Sequence, residues 1–151
     1  MSEFNQKTIA RRFAFQFLYH LQLLDYKDFN HEEILHKIAE FEKINSEPDQ
    51  ENNSRPIKAQ GKKFAIELIC GAIKNHNELK NTISTFLKKW TIERLNKVDF
   101  TILLLATFEL TKNPTTPKNV VINEAVELAK LFATQESPSF INAILDKVAK
   151  A

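Results

Sequence analysis

The sequence predicts an all-α protein, a compact bundle of about seven helices, on three observations. Apolar side chains recur at helical spacing through most of the chain. Only two glycines occur in 151 residues, too few for the turns that sheets and tight βα loops demand. The third observation is the stretch Val98 to Lys112, VDFTILLLATFELTK. At about 100° per residue, Val98, Phe100, Ile102, Leu103, Leu104, Leu105, Phe108 and Leu110 fall on every side of a helix and leave no polar stripe. Such a helix belongs inside a protein, with the other helices packed around it. It falls short of the roughly 20 apolar residues of a membrane span, and Asp99, Glu109 and Lys112 would be costly in lipid.

Taken in order, residues 6 to 24 place Ile9, Ala10, Phe13, Ala14, Phe17, Leu21 and Leu24 on one arc roughly 140° wide, an amphipathic first helix. Asn30 with Glu33 three residues on resembles a capping box and opens a second helix through Ile34, Leu35, Ile38 and Phe41. Residues 45 to 56, NSEPDQENNSRP, hold no large apolar side chain and two prolines, so a mobile loop is expected at about 45–57. Helix three, from about 58 to 76, contains both Gly61 and Gly71. Glycine costs a helix interior about 1 kcal/mol relative to alanine, so another helix is expected to cross close by. Leu79, Ile83, Phe86, Leu87 and Trp90 keep a helical period up to Thr91, a cap for the short IERLN segment before the central helix. NPTTPKN ends that helix with two prolines. Val121, Ile122, Ala125, Val126, Leu128, Ala129 and Phe132 mark the next helix. Ser137 as cap, with Pro138 at the first helical position, starts the last one, which buries Phe140, Ile141, Ile144, Leu145 and Val148.

The length suits a single domain over residues 1–151, and a domain of this size hides about 70% of its unfolded surface. Twelve Phe residues supply an aromatic-rich core. One cysteine, Cys70, permits no disulfide within the chain and reads as an inert buried thiol. The start MSEFNQKTIARR lacks the apolar core of a secretory signal, so a cytoplasmic protein without a membrane is expected. A formal net charge of +2 does not by itself announce nucleic acid, so the placement of charge must decide.

Few residues support catalysis. His20, His31, His36 and His76 include no pair four apart and no HExxH. Glu32, His36 and Glu40 share a helix face, which reads as a solvated ion-pair face before a metal site. No glycine-rich phosphate loop or GxSxG motif occurs. Asp99 and Glu109 are about 15 Å apart along one helix by its 1.5 Å rise, too far to share a proton. Asp99 suits the positive helix N-terminus, and Glu109 a buried hydrogen-bond network. No enzyme, catalytic residue, cofactor or metal is expected.

The first helix offers better chemistry. Opposite its apolar arc, Lys7 and Arg11 are neighbours four apart, as are Arg12 and Gln16, with Phe15 and Tyr19 between the pairs. Cations suit phosphates, and flat rings suit unpaired bases; a plain solvated helix end uses the same residues. Each phosphate contact adds only about 0.7 to the salt slope on a single strand, so this face alone would bind modestly, and a protein partner would extend it.

The run KTIARRFAFQFLYHLQLLD resembles the opening of the NusB family of bacterial transcription antitermination factors, where a basic residue, Ala-Arg, Ala, Gln and Leu-Tyr recur at these intervals. WTIERLNKVDFTILLLATFEL and VVINEAVELAKLFATQESPSFINAILDKVA resemble the family's most characteristic stretches, in the right order. The resemblance implies an all-helical fold of two small sub-bundles, the NusB-like antitermination fold. It implies a role without a chemical step: binding the box A RNA of ribosomal RNA leader transcripts together with the small-subunit ribosomal protein NusE, within the antitermination complex of RNA polymerase.

By position, the resemblance implies an RNA-binding face of Lys7, Arg11, Arg12 and Gln16, with Glu136, Ser139 and Phe140 as its second part. Tyr19, Glu93 and Asp99 match the family's contact with NusE, Asp99 as an exposed carboxylate able to pair with a partner's cation. Asn123 and Glu124 of the INEA run are expected to hold the fold. Thr8, Ile9 and Ser139 replace residues that are often basic in the family, and Ala143 replaces a glycine, which would crowd a close helix crossing. Two alternatives stay open: an RNA-binding module related to ribosomal RNA cytosine methyltransferases, and a structural helical dimer. The chain is expected as a monomer or homodimer, with Val120 and Leu131 facing either a second copy or NusE.

Overall fold

A computed structural model describes residues 3–22, 29–44, 57–88 and 91–151. Among them are seven α-helices and no strand: α1 (Glu3–Leu21), α2 (His31–Ile44), α3 (Ala59–Lys74), α4 (His76–Thr85), α5 (Lys97–Thr111), α6 (Lys118–Phe132) and α7 (Ser137–Lys150), with a 3-10 turn at Ile92–Arg94 before α5. The chain divides into two compact units, Met1–Cys70 and Gly71–Ala151. The boundary falls inside α3. No helix is long and apolar enough to cross a membrane among the described residues.

In the first unit, α2 meets α1 through Phe41, whose ring takes Phe13 and Phe17 edge to face at centroid distances of 5.6 and 5.5 Å. That geometry sets the positive ring edge against the negative face. Asn30 caps α2, its Oδ1 accepting the Glu33 N–H at 2.8 Å. Gln6 does a similar service across the unit: from α1, its Oε1 accepts the Lys58 N–H at 3.1 Å, at the start of α3. Gly61 lets α1 come this close, since a Cβ there would lie 3.1 Å from the Gln6 carbonyl oxygen. The close crossing expected of this glycine is thus the one with α1. The apolar arc of α1 is wider than its periodicity suggests, because Phe15 and Leu18 are buried along with Ala10, Ala14, Phe17 and Leu21. Leu24 and residues 45 to 56 of the expected loop lie outside the described residues.

In the second unit α5 is the centre. Every residue from Thr101 to Leu110 is buried, and α5 packs against α4, α6 and α7. Buried alkyl area is worth about 25 cal/mol per Å², and α5 concentrates it. Gly71 faces this helix too: a Cβ there would enter the Phe108 ring, so the ring occupies the space a side chain would need. Glu109 is buried within α5. So is Glu124 on α6, whereas Asn123 beside it is exposed and does not serve the core. Ala143 is also exposed, so the loss of glycine there crowds no crossing.

Three boundaries differ from expectation. Asn75 interrupts the third helical run, its Nδ2 donating to the Gly71 carbonyl at 2.8 Å. Next, α4 ends at Thr85, where the N–H groups of Phe86 and Leu87 turn back to Ile83 and Ser84. The helical period that continues to Trp90 therefore outlasts the helix, and Trp90 itself lies outside the described residues. Thr91 precedes the 3-10 turn without a side-chain cap. Finally, Ser137 is the first residue of α7 rather than its cap. It is buried, and its Oγ accepts the Thr134 N–H at 3.3 Å and bonds the Thr134 hydroxyl at 2.9 Å, which closes the loop entering α7.

Candidate nucleic-acid interface

The four α1 residues expected to meet RNA divide into two pairs. By helical geometry Lys7 and Arg11 stand about 140° around the axis from Arg12 and Gln16. Gln16 is exposed and Arg12 half-buried. Arg11 is buried, 4% exposed, which corrects its reading as an open phosphate contact. Its guanidinium carbon lies 5.1 Å from the centroid of the Phe64 ring on α3, and the Lys7 ammonium lies 5.3 Å from the same centroid. Both distances are within the roughly 6 Å reach of a cation–π attraction. Lys7 is half-buried, so of the two cations it is the one that solvent and ligand reach.

Tyr19 is 44% exposed. Its ring stacks on Phe15, with centroids 6.1 Å apart and planes 18° from parallel. Phe15 itself is buried, so it cannot offer a stacking face to a base as the sequence suggested; it supports Tyr19 instead. An aromatic ring backed in this way reaches a binding partner with little rotamer freedom left to lose.

The remaining candidates belong to the second unit. Glu136, just before α7, and Ser139 in its first turn are exposed, and Phe140 is half-buried. The Thr134–Ser137 bonds fix the backbone on which Glu136 stands. Glu93 is exposed on the 3-10 turn, where it forms a 3.8 Å ion pair with Lys80, an arrangement worth little in water. Asp99 differs from expectation: it is buried, 7% exposed, in the first turn of α5. Asn96 caps that helix, its Oδ1 accepting the Asp99 N–H at 2.7 Å while its Nδ2 donates to Asp99 Oδ2 at 3.1 Å. Asp99 Oδ1 has no hydrogen-bond partner. A buried carboxylate oxygen left in this state costs about 1–3 kcal/mol or more, so an added donor would be favourable.

Three residues shape these sites in ways the sequence did not show: Phe64 and Asn96 were not among the candidates, and Phe15 was expected as a stacking ring. Phe64 carries both cations, Phe15 backs Tyr19, and Asn96 holds Asp99. Only Asn96 left a local signal, an Asn three residues before an Asp at a helix start.

The other candidate chemistry behaves as surface or core. His36 pairs with Glu40 at 2.8 Å on an exposed face of α2, and no group of three His, Cys, Asp or Glu residues able to hold a metal occurs among the described residues. Cys70 is half-buried, its Sγ 3.8 Å from His31 Nδ1. Burial raises its thiol above the ordinary value, which keeps it protonated and a poor nucleophile. Leu131 is 57% exposed on α6, and Val120 half-buried.

Comparison with known proteins places this arrangement. The model of the NusB family matches residues 8–150. The transcription antitermination protein NusB of Geobacter sulfurreducens is 44% identical over 98 residues, 65% of this chain and 71% of that protein. The protein of the same name from Geobacter sp. strain M21 is 39% identical over 140 residues, 93% of this chain and 91% of that one. The structure of T. maritima NusB matches with a TM-score of 0.75 at 32% identity, covering 95% of this chain and 90% of that one. The chain belongs to the NusB family.

Proposed function

We propose that this chain is a transcription antitermination factor that binds the box A RNA of ribosomal RNA leader transcripts jointly with the ribosomal protein NusE, and so joins the antitermination complex of RNA polymerase. The observation that carries the reading is the outer strip of α1. Arg12, Gln16 and Tyr19 are reachable there, and Lys7, about 140° around the helix from Arg12, is held over an aromatic ring. The family's curated members share the antitermination name, which supplies the process.

The side chains then divide the labour. Lys7 and Arg12 face phosphates, and Gln16 supplies an amide that can both donate and accept toward a base edge or sugar. On the second unit, Glu136, Ser139 and Phe140 add two polar groups and a ring for a further nucleotide. Tyr19 and Glu93 meet NusE, the ring giving apolar area and Glu93 an accessible charge, while Asp99, buried at the start of α5, acts from behind that surface. The protein works as an adaptor, with no bond made or broken.

So few cations bind RNA modestly on their own, and the shared complex makes up the difference. Titration of labelled box A RNA with the protein, alone and then with NusE present, tests this. The reading expects weak, salt-sensitive binding alone and a gain of at least about tenfold with NusE, about 1.4 kcal/mol. Equal affinity with and without NusE, or no binding in either case, contradicts it.

A further inference from the structure

We infer that Phe64 is a positioning residue for the RNA-binding end of α1, an assignment that rests on the RNA reading proposed above. Lys7 and Arg11 are like charges four residues apart on one helix, an arrangement that is mutually repulsive. Here both lie over a single ring, with Lys7 Nζ at 5.3 Å and Arg11 Cζ at 5.1 Å from its centroid. The negative face of the ring offsets the repulsion, and it does so most strongly where water is excluded. Phe64 is 8% exposed and Arg11 4%, so the contact is largely dry.

The placement follows from the way α1 and α3 cross. Gly61 admits the Gln6 backbone, and Gln6 caps the start of α3. One turn further along α3 from Gly61, Phe64 meets residues 7 and 11, so the contacts advance along both helices together. The consequence is a difference in role between the two cations. Arg11 is fixed on the ring as a buried positive charge behind the surface, and Lys7, only half-buried, is held at a set position by the same ring. A lysine held in this way gives up less side-chain freedom on meeting a phosphate.

The test measures RNA affinity and its salt dependence with NusE present, in the wild type, Phe64→Leu and Phe64→Tyr. A second series replaces Phe64 with its 4-fluoro and 3,4,5-trifluoro analogues, which drain the ring face while keeping its shape. Phe64→Leu is expected to bind about 3- to 10-fold more weakly, with a salt slope reduced by about 0.7, one phosphate contact on a single strand. Phe64→Tyr keeps both values near wild type, and affinity falls stepwise with fluorination. If Phe64→Leu does not fold, the fluorinated series decides alone. Wild-type affinity and salt slope throughout the folded variants overturn the assignment to Phe64 while leaving the RNA reading intact. Failure of the wild type itself to bind RNA in a salt-dependent way overturns both.

Discussion

Helices α5 and α1 are each buried along most of their length, but they are buried for different ends. Along α5 the apolar residues Ile102 to Ala106, Phe108 and Leu110 are buried together with Asp99, Thr101, Thr107 and Glu109, and α4, α6 and α7 pack against it. Helix α1 likewise buries polar groups, Gln6 and Arg11, among its apolar residues, but where α5 is enclosed without a break from Thr101 to Leu110, α1 leaves Gln16, Tyr19 and His20 exposed. Both helices hold polar groups on the inside; what sets α1 apart is that it also keeps an exposed side, which its buried groups help to hold in place. The contrast teaches that burial of a charged side chain can serve a surface it does not itself reach.

The comparison can be broken at its stabilising end first. Leu104 is fully buried, and Leu104→Ala is expected to cost about 2–5 kcal/mol in chemical denaturation. The molecules that remain folded should bind RNA with unchanged affinity; a matching loss of intrinsic affinity would show that α5 takes part in the binding face. Next in size, Gly71→Ala drives a methyl group into the Phe108 ring and is expected to cost about 1–3 kcal/mol by overpacking. Combining it with Phe108→Leu should recover part of the loss, and a double-mutant cycle with no coupling would remove the contact from the account. The smallest effect on stability belongs to α1. Lys7→Ala is expected to stay within about 0.5 kcal/mol of wild type while lowering the RNA salt slope by about 0.7.

For the partner contact, Glu93 is a cleaner probe than Asp99. Glu93 is exposed, so Glu93→Lys should weaken NusE pull-down with an unchanged thermal midpoint. Asp99 is buried against its cap, and any substitution there mixes folding with binding.

Much of the fold was legible in the sequence because it rests on periodicity and local capping. The all-round apolar character of VDFTILLLATFELTK located α5, the Asn30 and Glu33 pair located the start of α2, and the cost of glycine in a helix pointed to close crossings at Gly61 and Gly71. Where helices end was less legible. Apolar spacing continues through Phe86 and Leu87 although the backbone turns at those residues, since a hydrophobic period reports which side is covered and not where hydrogen bonding stops.

The candidate site was legible as a set of residues but not as a geometry. A helical wheel placed Lys7, Arg11, Arg12 and Gln16 on a polar side because charge is ordinarily solvated. It could not show that Phe64, more than fifty residues away in sequence, would cover Arg11. The same limit applies to Phe15, taken as a stacking surface when its neighbour Tyr19 covers it, and to Asp99, whose burial depends on the second unit's packing. Contacts distant in sequence decide these cases, and no local pattern carries them.

The proposed reading assigns RNA contacts to residues of α1 in one unit and, separately, to residues at the start of α7 in the other. Backbone amide shifts of the isotope-labelled protein, followed during titration with box A RNA in the presence of unlabelled NusE, test it residue by residue. The largest RNA-dependent changes are expected at residues 7–16 and 136–140, with α2 and α4 unmoved. Changes confined to α2 or α4, with Lys7, Arg12 and Gln16 silent, would contradict it.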